Sequence, residues 1–175
     1  MITIISGTNR HQSLTLKFAH IYKELLEKAG ASVQLLALDE IPVEVLMTEV
    51  YKHDSKPTAI DRLQHDYFVK ADKLVFIFPE YNGSLPGVLK LLIDSLDPRV
   101  AFRGKKAALI GISTGRAGNL RGLDHLTSIL HHMQVQVLPF LLPVSKVQGE
   151  FDDIASFKES TLKVVNDHIK RTLDF

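Results

Sequence analysis

The feature that most constrains this chain is a run of five apolar residues without alternation, Leu74-Val75-Phe76-Ile77-Phe78. A strand with one face in water alternates between apolar and polar residues, whereas this run is apolar at every position. It therefore predicts a strand that is covered on both faces, as in a parallel sheet with helices on either side. The fold class that follows is α/β.

Four further short apolar runs repeat this pattern, with helical spacing between them. The predicted strands are Ile2–Ser6, Val33–Ala37, Leu74–Phe78, Ala107–Ile112 and Val135–Leu138. Because strands that alternate with helices form right-handed βαβ units, we predict a doubly wound five-stranded parallel sheet in a single domain, residues 1–175. A last helix is predicted from about Asp153 to Leu173. The irregular segment Ile41–Thr58 is interpreted as an excursion near a binding edge or an oligomer contact.

The composition narrows the functional classes. The 175 residues include no Cys and carry a formal charge of +1, which excludes thiolate metal sites and catalytic thiols and indicates no nucleic-acid partner. We predict no metal site, because adjacent His131 and His132 face different ways on a helix and no H-E-x-x-H pattern occurs. Since no apolar run approaches the roughly 20 residues of a membrane helix and the first strand has no basic leader, we expect a cytoplasmic protein without membrane association.

Unusual residues follow the first, third and fourth predicted strands. Ligands of doubly wound sheets bind beyond the carboxyl ends of the strands, so these three loops are expected to meet at one edge. The first loop, residues 6–13, combines small polar side chains, a helix start at Ser13 and the charge of Arg10, which is typical of an anion site. An ordinary capping turn explains this loop equally well, and it matches neither the dinucleotide nor the nucleoside-triphosphate fingerprint.

The second loop, Pro79-Glu80-Tyr81-Asn82-Gly83-Ser84-Leu85-Pro86-Gly87, is the most distinctive part of the sequence. Asn82-Gly83 favours a tight turn, Ser84 is placed to cap the next helix, and the glycines let the backbone approach a ligand closely. Tyr81 puts a planar ring beside exposed amides, which suits a flat heterocycle with polar edges. The simpler alternative is a turn and a capped helix with a surface Tyr.

The third loop, residues 113–119, has glycines and hydroxyls that can enclose the remaining edge of the same ligand. Gly111-Ile112-Ser113-Thr114-Gly115 also fits the G-x-S-x-G pattern of serine hydrolases. Asp124 and one of four histidines would complete such a site: His125, His131, His132 or His168. This hydrolase alternative leaves the loop after the third strand unexplained.

Together the three loops resemble the NAD(P)H-dependent FMN reductases of flavodoxin-like fold, which include quinone, azo and chromate reductases. That family carries G-S-x-R-x-x-S near its N-terminus, P-E-Y-N-x-S-x-P-G-x-L-K after the third strand and a G-x-x-S-x-G-x-x-G-like stretch after the fourth. This chain has Gly7 to Ser13, Pro79 to Lys90 and Gly111 to Gly118 at the matching places. It departs from the family at Thr15, where Asn is usual, and in having no Trp.

The resemblance implies the strand order 2-1-3-4-5 and hydride transfer from NADH or NADPH through FMN to a quinone, an azo compound or free flavin. No side chain is assigned as catalytic, because flavin N5 carries the chemistry. A homodimer or homotetramer is implied by the resemblance alone. A flavodoxin-type electron carrier remains an alternative, although such carriers are usually strongly acidic.

The resemblance also implies which residues bind the cofactor. Four residues near the first strand would hold the FMN phosphate: Thr8, Arg10, Ser13 and Thr15. The loop after the third strand would line the isoalloxazine through Pro79, Glu80, Tyr81, Asn82 and Gly83. Ser113 and Gly115 would lie on the other side of the flavin.

Overall fold

The computed structural model describes residues 1–47, 57–152 and 156–175. Its strands are β1 (Ile2–Ser6), β2 (Val33–Ala37), β3 (Lys73–Pro79), β4 (Lys106–Ile112), β5 (Gln136–Val137) and β6 (Leu142–Val144). Its helices are α1 (Leu14–Lys28), α2 (Val43–Leu46), α3 (Ala59–Gln64), α4 (Gly87–Asp94), α5 (Pro98–Ala101), α6 (Leu120–His132) and α7 (Glu159–Asp174). A π-helical turn covers His65–Val69, and a 3-10 turn covers Val147–Gly149.

All strand pairs are parallel, and the sheet has the order β2-β1-β3-β4-β5, with β6 also paired to β4. This confirms the predicted α/β doubly wound sheet and its strand order. One correction applies to the fifth position, which holds two short strands instead of the single strand Val135–Leu138. The interruption is a tight turn in which the N–H of Leu141 donates to the carbonyl of Pro139 at 3.1 Å.

Strand β3 shows why its apolar run has no polar interruptions. Val75 and Ile77 belong to the core that also holds Phe18 of α1. Leu74, Phe76 and Phe78 belong to the core on the opposite face, which α4 and α6 complete. Successive side chains of a strand point to opposite faces, so a strand that lies between two helical layers needs apolar residues at every position.

The helix boundaries agree with the sequence patterns where the chain is described. In the sequence, Phe18, Ile21, Tyr22, Leu25 and Ala29 have helical spacing and Gly30 is placed as a stop. Helix α1 covers this stretch, and Gly30 follows it with a φ of 86°, the left-handed conformation typical of a helix stop. Helix α7 begins at Glu159, later than predicted, and residues 153–155 of the predicted start lie outside the described residues. Residues 48–56, half of the irregular segment Ile41–Thr58, also lie outside the described residues. Within the described ranges, no helix has the length and apolarity that crossing a bilayer requires.

Candidate functional site

A cleft of about 610 Å³ opens at the carboxyl ends of β1, β3 and β4. The three loops that follow these strands line it, together with the turn after β6, and the expected convergence of the loops is therefore found. The residues of the lining are Arg10, His11, Gln12, Ser13, Leu14, Thr15, Pro79, Glu80, Tyr81, Ile112, Ser113, Thr114, Val147 and Gln148.

The loop after β1 brings a helix N-terminus to the cleft. The Gly7 N–H donates to the carbonyl of Ile77 at 2.8 Å, and a Cβ on Gly7 would lie 2.8 Å from Cβ of Phe78, so only glycine fits there. The Ser13 hydroxyl caps α1 by accepting the N–H of Leu16 at 3.1 Å. Because the helix N-terminus carries partial positive charge and Arg10 is exposed beside it, this end of the cleft favours an anion.

The loop after β3 contains a two-residue hairpin turn. The N–H of Tyr81 donates to the carbonyl of Ser84 at 3.0 Å, and the N–H of Ser84 donates back to the carbonyl of Tyr81 at 3.1 Å. Asn82 and Gly83 have φ of 51° and 77°, the left-handed values that this turn requires. The predicted tight turn is confirmed. The amides of Asn82 and Gly83 donate to no backbone carbonyl in the described part of the chain.

Helix α6 bounds the same turn on its outer side. The Ser84 hydroxyl lies 2.8 Å from Nδ1 of His125. The prediction that Ser84 caps the next helix is wrong, because α4 has Pro86 at its N-cap and the Ser84 hydroxyl is engaged with His125 instead. One helical turn earlier, Nη1 of Arg121 lies 3.8 Å from the place that a Cβ on Gly83 would occupy.

The loop after β4 is held by its own hydrogen bonds and by close packing. The buried Ser113 hydroxyl donates to the carbonyl of Gly115 at 3.1 Å and accepts the N–H of Gly118 at 3.0 Å. Nδ2 of the buried Asn119 donates to the carbonyl of Phe78 at 3.2 Å, which ties this loop to β3. A Cβ on Gly118 would lie 2.8 Å from the backbone N of Val144, so the loop packs directly on β6.

These contacts do not support the serine-hydrolase alternative. The two partners of the Ser113 hydroxyl are backbone groups of its own loop. Among the described hydrogen bonds, none joins Ser113 to a histidine, since His125 pairs with Ser84 and His168 pairs with Tyr22. A nucleophilic serine needs a base within hydrogen-bonding reach of its hydroxyl, and that base is not provided by these residues.

Seven of the eleven residues implied by the family resemblance line the cleft: Arg10, Ser13, Thr15, Pro79, Glu80, Tyr81 and Ser113. The other four lie beside the lining. Thr8 is buried, with Oγ1 at 2.8 Å from Oη of Tyr81, and the Gly115 carbonyl is engaged by Ser113 and by the N–H of Lys146. Asn82 and Gly83 form the hairpin turn next to Tyr81. Ligand contact by all eleven residues stays a prediction.

Seven lining residues were not singled out from the sequence: His11, Gln12, Leu14, Ile112, Thr114, Val147 and Gln148. Four of the first five lie inside the quoted stretches, and Leu14 directly follows the first of them, so taking every residue of those stretches and one further position would have included all five. Val147 and Gln148 have no such signal. They reach the cleft because the N–H of Val147 donates to the carbonyl of Ser113 at 3.0 Å, across 34 residues of chain.

A buried pair that joins α1 to α7 carries strongly shifted pKa values. Oη of Tyr22 lies 2.8 Å from Nδ1 of His168, and both side chains are fully buried. Burial raises the pKa of Tyr22 and lowers the pKa of His168 to about 4. The Nε2 atom of His168 has no hydrogen-bond partner among the described residues, so His168 is held neutral at physiological pH.

Comparison with known families matches residues 1–148 to the model of the NADPH-dependent FMN reductases. The chain belongs to this family. Its membership confirms the resemblance drawn from the three loops. It also confirms the expectation that the chain is a member of a family of NADPH-dependent reductases that use FMN.

Individual relatives agree with this assignment, and a solved structure agrees with the fold. The chain is 38% identical over 127 residues to an NAD(P)H-dependent FMN reductase of Pseudomonas aeruginosa. The alignment covers 70% of this chain and 66% of that protein, so the chain spans slightly less than two thirds of the length of this relative. It is 26% identical over 140 residues to a 2-hydroxy-1,4-benzoquinone reductase of a Burkholderia species, covering 78% and 73% of the two chains. The structure of FerB, a flavoenzyme NAD(P)H:acceptor oxidoreductase from Paracoccus denitrificans, superposes with a TM-score of 0.77 and 24% identity over 99% of this chain and 94% of that one, which supports the fold.

The cleft of this reductase-family chain fits FMN on three observations of its own. Its volume of about 610 Å³ lies within the range of roughly 300–1,000 Å³ that is usual for small-molecule and cofactor sites. The capped N-terminus of α1 and the exposed Arg10 suit a phosphate at one end. The hairpin turn beside the lining has two backbone amides that donate to no carbonyl in the described part of the chain, and these donors suit a ring with polar edges.

Proposed function

We propose that this chain is an NAD(P)H:acceptor oxidoreductase whose FMN binds in the cleft between the loops after β1, β3 and β4. The observation that carries the proposal is the convergence of Arg10, Tyr81 and Ser113, from three separate loops, on one cleft. A reductase named for a hydroxybenzoquinone among the relatives supports a quinone as the acceptor class. Azo compounds and free flavin are the other acceptors that we propose to test.

The loop after β1 would hold the charged end of the cofactor. The guanidinium of Arg10 and the N-terminus of α1 both favour a dianionic phosphate, and the Ser13 hydroxyl keeps that helix end in place. Thr15, in the first turn of α1, would add a hydroxyl to the same end. These groups supply binding and orientation, which are the contributions a protein makes to cofactor chemistry.

The other two loops would hold the ring. Pro79, Glu80 and Tyr81 form one wall, and the amides of Asn82 and Gly83 are donors for the polar edge of a heterocycle. The tightly bonded loop around Ser113 and Gly115 would form the opposite wall without rearranging. Bound FMN would supply the atom that accepts a hydride from the nicotinamide and passes the electrons to the acceptor.

Cofactor binding and turnover test the proposal directly. The purified chain should show the absorption bands of oxidised flavin, or acquire them when FMN is added to apoprotein, and should oxidise NADH or NADPH when a quinone is present. A chain that binds FMN but oxidises neither nucleotide, and is reduced by a partner reductase, would be an electron carrier instead. A chain that binds no FMN would refute the proposal.

The organisation of the protein is part of the same proposal. We infer a single FMN-binding domain over residues 1–175, a homodimer or homotetramer, and a cytoplasmic location, with no nucleic-acid or membrane partner. The family resemblance supports the oligomer, and the near-neutral charge supports the absence of a nucleic-acid partner. Light scattering on the FMN-loaded protein measures the oligomeric state, and a monomer would contradict that part.

A further inference from the structure

Two hydroxyl groups meet where the first and second loops of the cleft approach each other. Oγ1 of Thr8, just beyond β1, lies 2.8 Å from Oη of Tyr81, 73 positions later in the chain. The two side chains differ in exposure: Thr8 is 1% exposed, whereas Tyr81 is 36% exposed and lines the cleft. The contact therefore turns the end of the Tyr81 side chain towards the loop that begins α1.

The hydrogens of this pair can be counted. Oγ1 of Thr8 also accepts the backbone N–H of Arg10 at 3.3 Å. One hydroxyl hydrogen lies between the two oxygens, and the other has no acceptor among the hydrogen bonds of the described residues. A donor of this kind is satisfied by water or by a ligand, since leaving it unpaired in a site that a ligand has closed costs free energy.

Burial decides which residue carries the remaining hydrogen towards the cleft. Thr8 is enclosed, so a hydrogen of its own hydroxyl reaches the cleft lining poorly. If Thr8 donates to Oη of Tyr81, the Tyr81 hydroxyl keeps its hydrogen for the cleft that it lines. That donor then belongs to the same cleft lining as Arg10 and Ser13, the residues that make one part of the cleft favour an anion, and Thr8 links it to the backbone N–H of Arg10.

We propose that the Tyr81 hydroxyl, oriented by Thr8, donates a hydrogen bond to the phosphate of the cofactor and so makes the cleft selective for FMN over riboflavin. Tyr81 then binds the cofactor in two ways: its ring forms part of the cleft wall, and its hydroxyl contacts the phosphate. Thr8 is a positioning residue that acts through Tyr81. This inference rests on the proposed function, because it needs FMN to occupy the cleft.

The test compares two ligands that differ only in the phosphate. Apoprotein of the full chain and of the variant Tyr81→Phe is titrated with FMN and with riboflavin, and the dissociation constants are read from flavin fluorescence. A hydrogen bond to a charged group is worth a factor of about 10 to 100 in affinity, so Tyr81→Phe should weaken FMN binding by that factor. Riboflavin affinity should change by less than about twofold, because the ring is retained.

The role of Thr8 is tested by a double-mutant cycle. Thr8→Val should also weaken FMN binding. The variant that carries both substitutions should bind FMN as well as the weaker-binding of the two single variants, because Thr8→Val and Tyr81→Phe interrupt the same chain of hydrogen bonds. Thr8→Ser keeps the hydroxyl and should restore FMN affinity. A purely structural role of Thr8 would lower the affinity for both ligands and would not be rescued selectively.

Tyr67→Phe is the matched control, because Tyr67 packs against the core that α4 and α6 complete and is absent from the cleft lining. Its FMN and riboflavin affinities should equal those of the unmodified chain. The inference is overturned if Tyr81→Phe leaves FMN binding unchanged or weakens both ligands equally. Failure of the unmodified chain to bind FMN would instead overturn the proposed function, so the two failures are distinguishable.

Discussion

The two ends of the sheet use their charged and polar groups in opposite ways. At the amino ends of the strands, Nζ of Lys73 donates to the carbonyls of Thr172 and Leu173 at 2.9 and 2.7 Å, and Nζ of Lys105 donates to the carbonyl of Ala71 at 2.6 Å. These lysines complete the C-terminus of α7 and a turn before β3. Charge at this end is therefore used for folding.

At the carboxyl ends of the strands, several donors have no partner among the described residues. The Arg10 side chain is exposed and forms no ion pair among the described residues, and the amides of Asn82 and Gly83 donate to no described carbonyl. The backbone around them is nevertheless held tightly by the hairpin turn and by the Ser113 loop. The carboxyl end thus combines a hydrogen-bonded backbone with donors that have no described partner, which is the arrangement of a preorganised binding site.

The largest effect on stability is expected away from both ends, at the buried pair of His168 on α7 and Tyr22 on α1. Burial lowers the folded-state pKa of His168 to about 4 from an ordinary value of 6.5. Between these values the unfolded chain binds a proton that the folded chain does not, so stability falls as the pH drops from 6.5 to 4. The loss should reach about 3 kcal/mol in the free energy of unfolding.

Urea unfolding at several pH values measures this loss, and the variant His168→Gln isolates the contribution of one side chain. The difference in stability between the unmodified chain and His168→Gln should change by about 3 kcal/mol over that pH range. His131→Gln, an exposed histidine on α6, serves as the control and should follow the unmodified chain. Parallel pH profiles for all three proteins would contradict the prediction.

The second effect separates binding from folding at the carboxyl ends. Replacing Arg10 with Ala should weaken FMN binding by ~1.5–3 kcal/mol, the usual worth of a hydrogen bond to a charged group. The free energy of unfolding should change by less than about 0.5 kcal/mol, since Arg10 is exposed. Fluorescence titration and urea unfolding measure the two quantities, with Arg103→Ala as a surface control. Equal FMN affinities of Arg10→Ala and the control would remove Arg10 from the phosphate site.

The smallest effect is expected at the amino ends of the strands, where a substitution should change stability and leave FMN binding unchanged. Burial, followed by the neighbouring charge of Lys106, lowers the pKa of Lys73, but its ammonium still donates to two carbonyls at the end of α7. Lys73→Met should reduce the free energy of unfolding by about 1 kcal/mol, because two hydrogen bonds are lost from a site that is only half-buried. FMN affinity should be unchanged. Lys170→Met, an exposed lysine on α7, is the control, and a variant Lys73→Met that lost FMN affinity would break the contrast between the two ends.

Much of the fold could be predicted because it depends on local patterns. The uninterrupted apolar run of β3 requires helices on both faces, and the three-to-four residue spacing of α1 with Gly30 at its end predicts where that helix lies and stops. The fifth strand was predicted less well. Its split into β5 and β6 results from a turn at Pro139, which alters the pairing with β4 without altering the apolar pattern.

The candidate site divides in the same way. Ser13 as a helix cap and Asn82-Gly83 as a tight turn follow from the conformational preferences of those residue types, so both were predictable. The engagement of Ser84 by His125, 41 residues away, was not, and neither was the burial of Thr8 against Tyr81. A hydroxyl has several partners within its chemical capacity, and only the packing of distant elements selects one of them.

The sequence by itself determined the layered α/β sheet, its helix and turn signals, and three loops whose residue types match a flavin reductase, because each is written in neighbouring positions of the chain. The tertiary structure alone decided how those loops share the cleft: that Val147 completes its lining, that the Ser113 hydroxyl is engaged within its own loop, and that the Tyr81 hydroxyl pairs with Thr8 of the loop after β1. Those outcomes depend on distances between segments far apart in sequence, which packing sets and local propensity does not encode.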